Sequence, residues 1–179
     1  MPLYNVSVLF YNPNIEPHAE YLKRKDEFVK FLHKASLISD VTMLDCEYDN
    51  AAYTNAALSL RKDPEGCIDL QFKAEDARGT TQERCKMCFE LRLTETARRA
   101  KTGEYDLFAT TLSVSPHKNA KLLNDIGSTI AVEYDIDYLQ ADFKKKNGFK
   151  RSVELSKKYD LYRQDYCGCR VNFVDTKDS

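Results

Sequence analysis

Four of the six cysteines in this 179-residue chain lie in two close pairs. Cys85 and Cys88 are separated by two residues, and Cys167 and Cys169 are separated by Gly168. In reducing compartments, such close pairs are more often metal ligands or redox dithiols than structural bridges. The glycine also permits the backbone bend that turns both sulfurs of the second pair to one side. The pattern therefore predicts metal or redox chemistry carried by thiols.

Residue types and spacing alone do not distinguish the possible kinds of thiol chemistry. Four thiolates fit either a tetrahedral zinc ion or an iron–sulfur cluster. We expect Cys85 and Cys88 to open a helix, whose N-terminus would lower the pKa of both thiols. That position favours a cluster over the knuckle turns of structural zinc. Cys46 is predicted to be a small buried apolar side chain. Cys67 lies in a polar loop and has no assigned role.

A second candidate site is the stretch Thr110–Asn119, which is expected to be a strand end, a loop and a helix start. Free backbone N–H groups at a helix start bind anions, and the ammonium group of Lys118 adds positive charge. The hydroxyl of Ser115 and the imidazole of His117 would orient a polar ligand. The alternative interpretation is a well-capped helix with an exposed histidine.

The C-terminal part of the chain is basic, although the whole chain has a net charge of −1. Residues 144–170 carry 9 basic and 3 acidic side chains. Cations interleaved with aromatic rings, among them Lys150, Arg151, Arg163 and Tyr166, are typical of proteins that hold phosphates and unpaired RNA bases. The alternative is a tyrosine stripe that faces the core on a solvated helix. Asp165 is a candidate proton carrier or metal ligand.

Length and composition limit the class of protein. A chain of this length with 42% hydrophobic residues forms about one domain with a proper core. It has no apolar run near the roughly 18 residues that span a membrane, and no signal-peptide pattern at its start. Six cysteines are too few for a disulfide-stapled miniprotein of this length. We therefore expect a cytoplasmic protein without a membrane partner.

Hydrophobic periodicity predicts strands that alternate with helices. The predicted strands are Tyr4–Tyr11 (buried), Val41–Leu44, Asp106–Leu112 and Ile136–Leu139. The predicted helices are Glu16–His33, Asn50–Leu60, Arg84–Lys101, a helix from Ser115 and Pro116 to Glu133, and Arg151–Tyr159. In the third, Leu91 and Ala97 are expected on one face, and in the fourth, Ser115 is expected to be the N-terminal cap. We expect a loop insertion over residues 63–83 and a frayed tail over 174–179. One domain, 1–179, contains all of these elements.

This alternation predicts an α/β fold with a parallel sheet flanked by helices. Ligands of such sheets usually bind at the carboxyl ends of the strands. Three features are expected at such ends: the turn Tyr11–Pro13, the loop Thr110–Lys118 and the side chain of Asp142. Each of these features is therefore a candidate position for ligand binding.

Several motifs together identify a family resemblance. They are FYNPNI with EYLKR, RCKMCFELRL, TTLSVSPHKN, GFKRSVELS and LYRQDYCGC, spread over residues 6–171. In this order they resemble the QueH-type epoxyqueuosine reductases.

The resemblance implies a fold similar to the nucleotide alpha-hydrolase-like (HUP) proteins, with a C-terminal helical segment that bears cysteines. It implies a [4Fe-4S] cluster with Cys85 and Cys88 among its ligands. Cys167 and Cys169 would be a redox-active pair or ligands of an additional iron, and we favour the pair. Asp165 or His117 would supply a proton. The implied reaction removes the epoxide oxygen of epoxyqueuosine at the wobble position of tRNA, the last step of queuosine synthesis, with an unidentified electron donor.

The chain departs from this pattern at its start. Members of the family usually begin with a strand and a double-cysteine motif, which this sequence lacks, so we expect an N-terminally truncated chain. Three alternatives follow from the residues: a zinc-stabilised RNA-binding module, a thiol–disulfide oxidoreductase of the CxxC type, and a catalytically inactive paralogue.

Overall fold

The computed structural model describes residues 4–60, 77–164 and 166–169. The predicted frayed tail and most of the predicted loop insertion lie outside these residues. The elements in chain order are β1 (Val6–Leu9), α1 (His18–Lys34), β2 (Val41–Leu44), α2 (Asn50–Ser59), α3 (Ala77–Thr102), β3 (Leu107–Phe108), a 3₁₀-helix (Thr111–Val114), α4 (Ala120–Tyr134), β4 (Asp137–Tyr138) and α5 (Gly148–Lys158).

The strands form two parallel pairs. β1 pairs with β2, so that Val6 is opposite Val41 and Leu9 is opposite Leu44. β3 pairs with β4, with Leu107 opposite Asp137. Helices connect the members of each pair, which confirms the predicted α/β class with parallel strands flanked by helices. In the described residues these strands form two two-stranded sheets. The nucleotide alpha-hydrolase-like fold stays a prediction.

Three strands are shorter than their sequences predicted, and β4 keeps only Asp137–Tyr138 of the predicted Ile136–Leu139. β1 has four residues and is not buried, since Val6 is 46% exposed. The predicted strand Asp106–Leu112 ends at Phe108 and gives way to the 3₁₀-helix. There the Thr110 hydroxyl accepts a hydrogen bond from the backbone N–H of Leu112 at 3.2 Å. Threonine side chains compete in this way with the strand hydrogen bonds, so β-branched composition alone overestimated the strand.

The main core lies between α3 and α4. Its buried members are Phe89, Leu93, Ala97, Ala100, Phe108, Leu123, Ile126, Ile130 and Ile136. Leu91 belongs to a second cluster, with Tyr53 and Ala57 of α2. The prediction that Leu91 and Ala97 share one face is therefore wrong. Six residues rotate a helix by about 600°, so the two side chains point about 120° apart. α3 is held on two sides, by α4 and by α2.

Three helices begin three or more residues away from their predicted starts. α3 begins at Ala77 instead of Arg84, so residues 77–83 are helical where a loop was expected. α4 begins at Ala120, after Asn119, whose side chain accepts a hydrogen bond from the backbone N–H of Leu122 at 3.1 Å. The prediction of Ser115 as the cap is wrong, since an asparagine four residues later makes that bond. α5 begins at Gly148, three residues before the predicted start.

None of the helices in the described ranges combines the length and apolar character needed to cross a membrane.

Candidate functional site

The first cysteine pair lies within α3 and not at its start. Cys85 is eight residues after Ala77, so the predicted helix N-terminus does not lie at this pair. Cys88 is 8% exposed, and burial raises the pKa of its thiol. The pair thus lies on a long helix that is anchored in the core.

Cys88 packs into a small buried cluster with Tyr53 and Ala57 of α2. Tyr53 is 1% exposed, and burial raises the pKa of its hydroxyl. Cys169 packs against the same cluster. The two cysteine pairs therefore meet at Tyr53, which the sequence analysis did not single out because it lies in an ordinary helical pattern.

The second cysteine pair forms a close contact. The thiol of Cys169 lies 3.3 Å from the sulfur of Cys167, and the ammonium nitrogen of Lys118 lies 3.6 Å from the same Cys167 sulfur. The hydrogen bond from Cys169, assisted by the Lys118 charge, lowers the pKa of Cys167. The same hydrogen bond, together with burial, raises the pKa of Cys169. The arrangement favours one thiolate and one thiol, which is the protonation state that thiol–disulfide exchange requires.

Lys118 is the common neighbour of both pairs. Burial disfavours its charged form, but the negative charge available on Cys167, Cys85, Cys169 and Cys88 outweighs that effect and raises the pKa of Lys118. Its ammonium nitrogen also lies 5.6 Å from the centre of the Phe89 ring on α3. The Lys118 ammonium group therefore contacts the Cys167 sulfur and interacts electrostatically with the other three thiols.

The turn after β1 seats the Cys-Gly-Cys segment. The carbonyl of Gly168 accepts a hydrogen bond from the backbone N–H of Glu16 at 2.9 Å. A Cβ at Gly168 would come within 3.0 to 3.1 Å of Ile15 atoms, so Ile15 would have to yield by a few tenths of an ångström to accommodate it. Arg92 of α3 donates hydrogen bonds to the carbonyl of Tyr11 and the side chain of Asn12. This turn therefore links α3 to the second cysteine pair.

The three features expected at strand ends are brought together. The turn after β1 contacts Gly168, and the loop after β3 carries Lys118. The loop after β4 joins them, because Lys144 donates a hydrogen bond to the carbonyl of Lys118 at 3.4 Å and pairs with Asp142 at 3.0 Å. The loops after β1, β3 and β4 are therefore linked through Gly168, Lys118 and Lys144.

Ser115 and His117 do not lie at a helix start, contrary to the prediction. Ser115 accepts a hydrogen bond from the backbone N–H of His117 at 3.3 Å, and His117 is exposed. The helix begins only at Ala120, so no helix N-terminus lies at Ser115. Lys118 alone of the three predicted ligand-binding residues here contacts the thiols.

The predicted cations lie on or beside α5, none of whose residues is buried. Lys150 and Arg151 are exposed, and Arg151 pairs with Glu154 at 3.7 Å. Arg163 donates hydrogen bonds to the carbonyl of Ser152 at 3.3 Å and the hydroxyl of Ser156 at 3.0 Å. These side chains form an exposed basic surface rather than part of the thiol site.

Tyr166 and Asp165 complete the predicted set. Tyr166 is exposed on one side, and the guanidinium of Arg24 lies 5.1 Å from its ring centre. Its hydroxyl is hydrogen-bonded to the carboxylate of Glu20. Glu20 and Arg24 were not predicted as site residues, and the only signal for them was their place in the EYLKR motif. Asp165 lies outside the described residues.

The thiols were tested as ligands of a metal or cluster. Cys85 and Cys88 lie one helical turn apart on α3, which suits two ligands of one group. Within residues 4–60, 77–164 and 166–169, no three or more histidine, cysteine, aspartate or glutamate side chains are arranged to hold a metal ion. The described residues therefore offer two thiol ligands but do not form a complete four-ligand set.

The fold and the site define a class: an α/β protein with a cysteine dithiol and a second thiol pair gathered around one lysine. The family model of epoxyqueuosine reductase QueH matches residues 2–174. The chain belongs to that family, and the resemblance found in the motifs is confirmed.

Curated relatives agree with this assignment. An epoxyqueuosine reductase QueH of Streptococcus pyogenes is 37% identical over 167 residues, which is 92% of this chain and 60% of the relative. One of Staphylococcus epidermidis is 35% identical over 92% of this chain and 65% of its own length. One of Thermotoga maritima is 32% identical over 94% of this chain and 80% of its own length. The chain thus spans between 60% and 65% of the first two relatives.

Proposed function

We propose that this protein removes the epoxide oxygen of epoxyqueuosine at the wobble position of tRNA, the last step of queuosine synthesis. Family membership supports this reaction, and the relatives are named epoxyqueuosine reductases. The observation that carries the proposal is the Cys167–Cys169 contact at 3.3 Å beside Lys118. A reductase needs a store of two electrons next to its substrate, and a dithiol is such a store.

The electrons and atoms balance through this dithiol. Breaking both C–O bonds of the epoxide leaves an alkene, and the oxygen departs as water after taking up two electrons and two protons. Closing the Cys167 thiolate and the Cys169 thiol to a disulfide releases two electrons and one proton, and a donor such as His117 or Asp165 supplies the second proton. An electron donor, still to be identified, reduces the disulfide for the next turnover. Lys118 holds the negative charge of the Cys167 sulfur in the reduced form.

Cys85 and Cys88 are proposed as two ligands of a [4Fe-4S] cluster. When bound, such a cluster supplies electron transfer and a Lewis-acidic iron. Burial of Cys88 and the position of both thiols on a core helix support a fixed ligand role. The contact between Cys167 and Cys169 supports a redox pair over ligation of an additional iron.

The basic surface on and beside α5 is proposed to hold the tRNA. Lys150 and Arg151 are exposed, and their charges suit contacts with phosphates. Ser115 and His117 stay candidates for contacts with the substrate, and exposure of His117 is compatible with proton donation. Asp165 stays a second candidate for the proton. A cytoplasmic location also stays a prediction.

The test is an assay with epoxyqueuosine-containing tRNA after anaerobic purification. We expect replacement of both Cys167 and Cys169 by serine to abolish turnover, while Cys46→Ser, at a buried thiol outside both pairs, keeps it. Retained turnover in the double variant would remove the dithiol from the mechanism.

Metal and sulfide content separates the alternatives. Iron with sulfide supports the cluster. Colourless zinc-bound protein that binds tRNA without turnover would favour the zinc-stabilised RNA-binding module. Metal-free turnover of a simple disulfide substrate would favour a thiol–disulfide oxidoreductase.

A further inference from the structure

The segment that carries the second cysteine pair runs along α1 in the direction opposite to the helix. We call residues 159–164 and 166–169 the C-terminal segment. Lys34, at the end of α1, donates a hydrogen bond to the carbonyl of Tyr159 at 2.7 Å. Glu27, in the middle, accepts one from the backbone N–H of Tyr162 at 2.9 Å. Glu16 lies just before α1 and bonds the carbonyl of Gly168. α1 therefore aligns this segment along its whole length.

Glu20 is the most buried charged contact along this path, with a side chain only 10% exposed. Arg24 donates a hydrogen bond to it at 2.7 Å, and the Tyr162 hydroxyl does so at 3.3 Å. The Tyr166 hydroxyl is a further donor. Burial disfavours the Glu20 carboxylate, but these donors outweigh it and lower its pKa. Two of the three donors belong to the C-terminal segment.

Cation–ring contacts strengthen the same attachment. The ammonium nitrogen of Lys23 lies 3.5 Å from the centre of the Tyr162 ring, and Arg24 lies over the Tyr166 ring. Tyr166 is the residue immediately before Cys167. A displacement of Tyr166 would therefore move the first sulfur of the dithiol directly.

We propose that Glu20 is a positioning residue for the Cys167–Cys169 dithiol and acts through Tyr162 and Tyr166. This inference rests on the redox role proposed above for that dithiol. It assigns Tyr166 to the scaffold that holds the dithiol, instead of to an RNA base.

The physical consequence is a higher effective concentration of each dithiol sulfur near the other. The contacts on α1 restrict the C-terminal segment to arrangements in which the two sulfurs meet, and a looser segment samples more arrangements in which they are apart. In the reaction with oxidised glutathione, the protein dithiol becomes a disulfide and two molecules of reduced glutathione form. The equilibrium constant of this reaction reports how well the sulfurs are held together.

The experiment measures this constant in the full chain without tRNA, with the Cys167–Cys169 bond identified by mass spectrometry. Glu20→Gln keeps the side-chain shape but removes the charge from its hydrogen bonds, so we expect the constant to fall about tenfold. Asp26→Asn changes an exposed acid on the same helix and should leave the constant within about twofold.

A second background separates positioning from a general structural role. In a Tyr162→Phe, Tyr166→Phe protein, Glu20→Gln should have no further effect, because its path to the dithiol is already removed. A full tenfold effect in that background would mean that Glu20 acts through Arg24 and α1 alone, and would overturn the inference. Equal constants for the wild type and Glu20→Gln would also overturn it. If Glu20→Gln does not fold, the double tyrosine variant must itself show the tenfold fall.

The result is separable from the proposed function. Suppose that the wild-type protein forms the Cys167–Cys169 disulfide and that Glu20→Gln has the same equilibrium constant. The positioning role would then be refuted, and the reductase proposal would stay intact. A wild-type protein that forms no Cys167–Cys169 disulfide would refute both the positioning role and the dithiol mechanism.

Discussion

The two cysteine pairs are held by different kinds of interaction. Cys85 and Cys88 lie on α3, a 26-residue helix packed between α4 and α2. Cys167 and Cys169 lie on a segment without helix or strand structure, which polar contacts attach to α1 and to the turn after β1. Apolar burial holds the first pair, and hydrogen bonds and ion–ring contacts hold most of the second, of which Cys169 also packs against the Tyr53 cluster.

This difference matches the two chemical roles proposed for the pairs. A ligand pair must keep its position while electrons pass, which suits a helix fixed by close packing. A dithiol must change its S–S distance each time it opens and closes. Individual hydrogen bonds contribute about 1 kcal/mol each, so a segment held by them can be adjusted by single changes. Each prediction below acts on one side of this comparison.

The largest expected effect is on the helix that carries the first pair. Leu93 is 2% exposed in the core between α3 and α4, so Leu93→Ala should lower the free energy of unfolding by about 2–5 kcal/mol. Urea denaturation measures this. Val132→Ala, at a side chain 84% exposed on α4, is the control and should change stability by less than about 0.5 kcal/mol. A change that small for Leu93→Ala would mean that packing does not hold the first pair.

The next effect is on the turn that seats the second pair. Gly168→Ala places a Cβ against Ile15, so Ile15 or the turn must yield by a few tenths of an ångström, and we expect turnover on epoxyqueuosine-tRNA to fall roughly 10- to 100-fold. Urea denaturation should show little change, because the contact lies outside the main core. Adding Ile15→Ala removes part of the clash and should recover part of the activity. Full activity of Gly168→Ala alone would contradict the close approach of this turn.

The smallest effect is on the charge of Cys167. Lys118→Met removes the nearby ammonium group, so the pKa of Cys167 should rise towards that of an ordinary thiol. Because only the thiolate is alkylated, the rate of Cys167 modification by iodoacetamide at pH 6 should fall about tenfold. The control Lys121→Met changes an exposed lysine that pairs with Asp125. Equal rates in the wild type and Lys118→Met would remove Lys118 from the dithiol.

Much of the fold was predictable because periodicity reports burial. The strand Val41–Leu44 was predicted to the residue, and α1 and α2 to within two residues at each end. The errors lie where local polar groups decide the structure: the Thr110 hydroxyl ended a strand, and Asn119 rather than Ser115 capped α4. Sequence patterns contain several possible caps, and only the path of the chain selects one.

The candidate site was predictable in its chemistry and not in its assembly. Lys118 and all four paired cysteines were identified from residue types and spacing. Tyr53 and Glu20 were missed, since a tyrosine and a glutamate in helices are usually ordinary core and surface residues. Their importance comes from neighbours more than 100 residues away, Cys169 and Tyr162.

The sequence by itself determined the α/β class, the family and the two close cysteine pairs, because these depend on residue types and on spacings within single elements. Only the tertiary structure decided that the two cysteine pairs meet around Lys118 and that α1 carries the second pair. Such contacts join residues far apart in the chain, and no local pattern encodes which hydrogen bonds and packed surfaces form between them.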